Sequence, residues 1–499
     1  MAPSPLTSQR QEVERDDVQA LVLQGYGKLR GAAYVVAEVV DAAAARAWLA
    51  GLVPVVTTGS GRPAERALNV AFTASGLAAL GLPPDTVAGF SLEFGEGMTS
   101  AHRSRLLGDE GDADPSRWAW GGPQGAPVHV LLLLFDRDEA GLSEWLGEHR
   151  RRLAEHLREV TVLATSDIGR GEHFGFRDGL SQPALEGIGR AAPPMHTLRP
   201  GEMLLGYRNE HGEYPRTPLV AARDDPGNLL GEDAGGSGRH DFGRNGSYLV
   251  LRTLSQDVGR FWRFLDDATR RPDGSSDPSA RTALAARMVG RWPAGTPLTR
   301  SPDGERPGLE ADNDFGYAAH DPDGLACPVG AHVRRTNPRD SLPPKPGTSA
   351  SVAVGKRHRL LRRGRPYGPP IDVDTALADT SDHVDVRGLH FVALCADIAR
   401  QFEFVTHTWA MNPNFGGLYD DPDPLLGVQA VRSFTVQQDP VRRRVADVPV
   451  FVTVRGGAYF FLPSRRALRY LAAGDGVSRR LTTAASGNGG RSPEVEGHL

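Results

Sequence analysis

Hydrophobic residues in this chain gather in short runs separated by polar, glycine-rich stretches, and two kinds of run alternate. Residues 34–39 are apolar apart from Glu38, which predicts a strand, and Asp41 behind them is placed to cap an alanine-rich helix reaching about Leu52. Residues 67–73 predict a second strand, followed by a short helical stretch and a long Gly/Pro/Asp-rich excursion to Gly125. Residues 128–135 form the strongest apolar run, far too short to span a bilayer, and predict a third, buried strand. Leu142, Trp145, Leu146, His149, Leu153 and Leu157 then recur at helical spacing and predict one buried helix face. Residues 160–164 close the series. The order βαββαβ, with an insertion, is that of a ferredoxin-like unit.

The second half opens in the same way. Residues 248–254 predict a strand, and Val258, Phe261, Trp262 and Leu265 stripe the helix after it. A later pair follows: a strand over 389–396, then a helix over 397–409 with Ile398, Phe402, Val405 and Trp409 inward. Residues 451–462, interrupted by Gly456-Gly457, predict a β-hairpin. The expected fold is α+β, two tandem ferredoxin-like modules of antiparallel sheet and helix, the second with a large insertion over 268–387. The domain reading is 18–190 for the first module, 191–247 for a linker and loop region, 248–475 for the second module, and 476–499 for a disordered tail rich in Gly, Ser and charge.

Composition narrows the function classes. At 499 residues the chain is long enough for more than one folding unit, and its 39% hydrophobic and 24% charged residues are ordinary for a soluble protein. A net charge of -4 argues against a nucleic-acid protein, which needs a concentrated basic surface, and the arginine clusters at 150–152, 442–444 and 465–466 read as solvated faces. Two cysteines, Cys327 and Cys395, indicate no disulfide framework, and charges throughout residues 1–19 do not fit a secretory signal, so a cytoplasmic location is expected. No G-x-G-x-x-G after a strand, phosphate loop, CxxC or HExxH occurs.

Three clusters remain. The first, Glu172-His173-Phe174-Gly175-Phe176-Arg177-Asp178-Gly179-Leu180-Ser181-Gln182-Pro183, sets a Phe-Arg-Asp triplet between glycines; alone it is an ordinary turn. The second runs from Cys327 through His332 to Arg339. A histidine among small residues, followed by three arginines, suits a metal-bound macrocycle with acidic substituents, since haem iron takes an axial imidazole and its propionates need cations. The third, Leu360 to Pro369, is by composition a basic turn.

Together these clusters resemble, in order, the three motifs of the dye-decolourising peroxidase family. Gly175-Phe176-Arg177-Asp178-Gly179 matches its G-x-x-D-G signature, His332 lies within A-H-x-R-x-x-N-P-R, and Arg362 opens R-x-G-x-P-Y-G. Further blocks, among them Pro200 to Tyr207, Gly243 to Tyr248, Met288 to Pro293, Arg400 to Phe404 and Val454 to Phe461, extend the likeness over residues 18–471. In length and lack of a leader the chain resembles the larger, non-secreted branch.

The resemblance implies a haem peroxidase that reduces hydrogen peroxide while oxidising dyes, phenols or similar small organic reductants, with haem b (iron protoporphyrin IX) held mainly by the second module. It assigns His332 as the axial iron ligand and Asp178 and Arg362 as the catalytic pair on the opposite face. Gly179, Leu180 and Ser181 then line the haem, Asn337, Pro338 and Arg339 meet its propionate side, and Leu389 and Phe391 keep the peroxide side dry. His332 should donate from its other nitrogen to a carboxylate, for which Asp447 and Glu403 are the candidates. Trp409 is either an electron relay for bulky donors or a core residue. Nucleic acid and membrane are not expected partners; a homo-oligomer is left open. Three other readings stand beside this one: a thiolate ligand from Cys327, a haem-binding or iron-releasing (deferrochelatase-like) protein with little peroxide turnover, and a structural protein with a vestigial site.

Overall fold

Strand β1 (Gly31–Glu38) has no exposed residue. Ala33, Val35 and Ala37 enter one core while Ala32, Tyr34 and Val36 enter another, the two-residue alternation of a strand with protein on both faces. Asp41 accepts from the Ala44 N–H and starts helix α1 (Ala42–Leu52). Strands β2 (Arg66–Phe72) and β3 (Val130–Asp136) follow, then α2 (Glu139–Ala154), which buries Leu142, His149 and Leu153, and β4 (Arg158–Ala164). Their order in the sheet is β4-β1-β3-β2, all neighbours antiparallel. This computed structural model describes residues 12–169, 171–189, 191–379, 386–429 and 432–474; the tail over 476–499, expected to be disordered, lies outside them.

The second half repeats the arrangement. Strand β5 (Ser247–Gln256) leads into α3 (Val258–Ala268), whose buried Val258, Phe261, Trp262 and Leu265 are the predicted stripe. Helices α4 (Pro278–Val289) and α5 (His332–Thr336) belong to the long insertion. Short strands β6 (Leu361–Arg362) and β7 (Arg365–Tyr367) pair with β8 (Gly388–Cys395), and β9 (Val452–Leu462) flanks β5. The order β9-β5-β8-β6 places the strands as in the first half, and both match a ferredoxin-like sheet. The β9–β2 pairing at Phe461 and Phe72 joins the two into one nine-stranded sheet.

Two elements differ from the sequence reading. Residues 451–462 are not a hairpin: β9 runs straight through Gly456-Gly457 as one strand with a register shift against β5. A tight hairpin turn uses positive φ, which neither glycine has. A Cβ at Gly456 would lie 2.4 Å from Trp120 Nε1, so this glycine makes room for an indole instead. The helix expected over 397–409 forms, but with wide π-type turns over Ile398–Glu403 and Val405–Ala410; Ile398, Phe402, Val405 and Trp409 are buried as predicted. No helix among the described residues is long and apolar enough to cross a membrane.

Candidate active site

The loop after β4 folds back on itself. Glu172 N–H donates to the Phe176 carbonyl at 2.9 Å, and Gly175 N–H to the Glu172 carbonyl at 2.9 Å. Gly175 and Gly179 sit at φ +89° and +79°, where a side chain would strain the turn that presents Asp178. Asp178 Oδ1 accepts from Arg362 Nη1 at 2.8 Å. Arg362 ends β6, and its backbone N–H donates to Gln182 Oε1 at 3.0 Å, so loop and strand are tied twice. The Asp178 side chain is 46% exposed, but to an interior cavity that it lines with Arg362 and His332. Burial alone would raise its carboxyl; Arg362, the Gly179 N–H and His332 outweigh that and hold it below the usual carboxylate range.

His332 begins α5 at the wall facing that pair. Its Nδ1 lies 2.9 Å from Asp423 Oδ2. Asp423 is fully buried, and its Oδ1 accepts from the Leu425 and Leu426 N–H groups at 2.9 and 3.0 Å. Burial would lower the imidazole, but Asp423 outweighs it and raises it above its ordinary value. With Nδ1 engaged, Nε2 is the nitrogen left to the cavity. The carboxylate partner is therefore Asp423, not Asp447 or Glu403. Asp447 is exposed, and Glu403 is bound to Arg103 at 2.7 and 2.8 Å and to Tyr459 Oη at 2.9 Å.

Leu389 and Phe391 on β8, Leu254 on β5 and Val452 and Val454 on β9 form an apolar wall of the same cavity. Leu180, Ser181 and Asn337 also line it; Gly179 contributes its N–H to Asp178 instead. Pro338 and Arg339 lie behind the wall. Arg339 donates to the Asn313 and Phe315 carbonyls at 2.8 and 2.9 Å and stacks on the Phe315 ring at 3.8 Å. Other arginines, to which the sequence reading gave no role, do line the cavity, among them Arg291, Arg359 and Arg252, which is paired with Asp109. Arg359, just before the basic turn Leu360 to Pro369, is buried and donates to the Ser181 carbonyl at 2.9 Å. Burial pushes its guanidinium down to about 9, with Arg339 and Arg362 adding repulsion. Burial and Arg339 likewise push Arg291 down to about 10. Trp409 is buried with its ring against His358 and Phe404, and Cys327 is buried away from the cavity with its thiol pushed up to about 12 by burial.

No family model matches the chain. It is, however, 31% identical to a dye-decolorizing peroxidase of Mycena epipterygia over 92% of this chain and 87% of that one. The chain belongs to the dye-decolourising peroxidase family. It is also 32% identical to Peroxidase 2 of Mycetinis scorodonius, over 81% of this chain and 76% of that protein. Among solved structures it resembles a dye-decolorizing peroxidase in complex with 2,6-dimethoxyphenol, with a TM-score of 0.75 and 28% identity over 93% of this chain and all of that one. The enzyme from Auricularia auricula-judae gives a TM-score of 0.74 at 27% identity, over 92% of this chain and all of that one.

Dye-decolourising peroxidases are haem enzymes, and the residues here fit that group. Among the described residues, Arg291, Arg339 and Arg359 have no carboxylate partner, and Nδ2 of Asn337 is buried without a hydrogen bond. Three buried cations that repel one another call for an anion, which the propionates of a haem supply.

Proposed function

We propose that this chain is a peroxidase that holds haem b by His332 and reduces hydrogen peroxide at the expense of dyes, phenols and similar small organic donors. One observation supports the reading above all others: the Asp178–Arg362 pair and His332, whose Nδ1 is engaged by the buried Asp423 behind it, share the same apolar-walled cavity. The 2,6-dimethoxyphenol bound by a structural neighbour is a donor of the proposed class.

Haem supplies the redox chemistry; the protein supplies orientation, protons and charge. Asp423 accepts the Nδ1 proton of His332, which fixes the tautomer and leaves Nε2 as the nitrogen that would ligate the haem iron. Arg291 and Arg359 would hold the propionates, with Asn337 beside them and Arg339 behind. Asp178, kept ionised by Arg362, takes a proton from one oxygen of peroxide and returns it to the other, which leaves as water. Arg362 stabilises the negative charge that develops as the oxygen–oxygen bond breaks. Leu389 and Phe391 exclude water, so these charges act in a low dielectric.

The first module is assigned to 18–190 and the haem-binding second to 248–475. A cytoplasmic location agrees with the two unpaired, buried thiols. The deciding experiment is turnover: haem-loaded protein given peroxide and 2,6-dimethoxyphenol should consume both, in proportion, over many cycles. Release of free iron with no donor oxidation would establish the iron-releasing alternative instead.

A further inference from the structure

Two further carboxyl groups line the cavity, and peroxide cleavage has no use for either: Asp109, which is ion-paired with Arg252, and Glu172. Glu172 opens the loop that carries Asp178. Its Oε2 accepts from the Phe174 N–H at 3.0 Å and from Gln256 Nε2 at 2.8 Å, and its Oε1 from the Phe176 N–H at 3.3 Å. All these partners are neutral. The cations nearby on the cavity wall are directed elsewhere: Arg362 to Asp178, and Arg252, on the same strand as Gln256, to Asp109. Arg177 follows on Glu172's own loop, and Arg387 acts on the adjoining His173. The charge that acts on Glu172 is negative, that of Asp178. Burial, with Asp178 adding to it, pushes the Glu172 carboxyl up to about 7, whereas Arg362 holds Asp178 down. With Asp109 ion-paired to Arg252, Glu172 and Asp178 are left as two carboxyl groups in one cavity pushed in opposite directions, which divides the work of acid and base.

We propose that Glu172 is the proton donor for the half-reaction in which donor electrons are taken up. The inference rests on the reading of Asp178 as the base. Peroxide reduction consumes two electrons and two protons to give two waters. Cleavage of the oxygen–oxygen bond needs no proton from outside, because Asp178 only moves one between the two oxygens. The two protons of the second water must enter as the electrons arrive. A donor oxidised at the protein surface leaves its proton in the solvent, so a group at the cavity wall has to supply one. In mild acid Asp178 is a carboxylate and accepts, while Glu172 is a carboxylic acid and donates.

The test uses haem-loaded wild type, Glu172→Gln and Asp178→Asn. Ferrocyanide serves as the electron donor because it releases no proton on oxidation. In wild type, steady-state turnover should fall as pH rises through about 7, where Glu172 loses its proton. Glu172→Gln should be slower by about 100-fold, as for loss of a general acid, and should lack that step in its pH profile. Its rate of reaction with peroxide should stay within a few-fold of wild type. Infrared titration of the holoprotein gives a readout apart from turnover: a protonated carboxyl band lost near neutrality in wild type and absent from Glu172→Gln. If Glu172→Gln loads poorly with haem, Glu172→Asp keeps the proton and should retain turnover with a displaced step. Wild-type turnover and pH profile in Glu172→Gln, or no such band in wild type, would overturn the proposal. An unchanged peroxide reaction in Asp178→Asn would instead overturn the reading of Asp178 as base.

Discussion

Replacing Arg362 by Leu removes a guanidinium that has two tasks. The first is electrostatic. Arg362 faces the cavity and is held in place by its 2.8 Å bond to Asp178 and by the Gln182 contact at its backbone. Loss of one preorganised donor of this kind slows the chemical step by about 100- to 1,000-fold, or about 2.7–4 kcal/mol. The second task is tuning the base. Burial would raise the Asp178 carboxyl, and Arg362 is the chief influence that overcomes it. The ionised form of Asp178 accepts the proton, so the peroxide reaction is supported above the folded-state value and lost as pH falls through it. In wild type that loss lies below the ordinary carboxylate value of about 3.9. In Arg362→Leu burial is no longer outweighed, and the acid limb moves to higher pH. The variant should therefore be slow at neutrality and slower still, relative to wild type, in acid. Stopped-flow rates of the peroxide reaction in haem-loaded protein, from about pH 3 to about pH 8, check both effects. An unaltered rate near neutrality would show that another residue stabilises the developing charge. A slowed reaction with an unmoved limb would refute the tuning of Asp178 by Arg362.

His332→Ala should purify with little haem and an otherwise native far-ultraviolet circular dichroism spectrum; normal haem content would rule His332 out as the ligand. Asp423→Asn offers one acceptor oxygen where His332, Leu425 and Leu426 now meet two. It should weaken haem binding by about 10- to 100-fold, measured as haem transfer to apomyoglobin, and an unchanged transfer rate would count against Asp423 as the partner that matters. Gly456→Val places a branched side chain where even a Cβ would lie 2.4 Å from Trp120 Nε1. It should destabilise the fold by about 1–3 kcal/mol in chemical denaturation, and wild-type stability would show that the bulge can absorb a side chain.

The parts legible in the sequence were those written in local pattern. Strand and helix periodicity delivered the first βαββαβ series and part of the second, without its short strands β6 and β7, because Val35 and Leu132 or Phe261 and Leu265 declare their burial by spacing alone. The three motifs named Asp178, His332 and Arg362, and the structure brings these onto one cavity although 184 residues separate Asp178 from Arg362. Hidden from the sequence were residues whose meaning is set by a distant neighbour. Asp423 lies 91 residues from His332 in a Pro/Asp-rich turn that reads as surface. Arg359 stands among Arg357, Arg362, Arg363 and Arg365, and nothing in a basic run says which members go inside. In fact Arg363 donates to the Leu21 carbonyl, and Arg365 to those of Tyr26 and Leu29. Gly456-Gly457 misled because paired glycines signal a turn, whereas here Gly456 admits Trp120 and Gly457 packs against Met98 and the Leu251 carbonyl. Glu172 was quoted within its motif but assigned no role, since only the fold sets it beside Gln256 and within reach of Asp178.

The claim that this chain is a haem peroxidase built on His332, Asp178 and Arg362 is tested most directly by one optical titration. Purified holoprotein is mixed with a single equivalent of hydrogen peroxide, its absorption spectrum is followed, and a phenolic donor is then added. The holoprotein should show a Soret band before peroxide, its rapid and complete conversion by one equivalent, and return of the starting spectrum as the donor is consumed. A protein with no Soret band, or a haem spectrum that one equivalent of peroxide leaves unchanged, would contradict the claim.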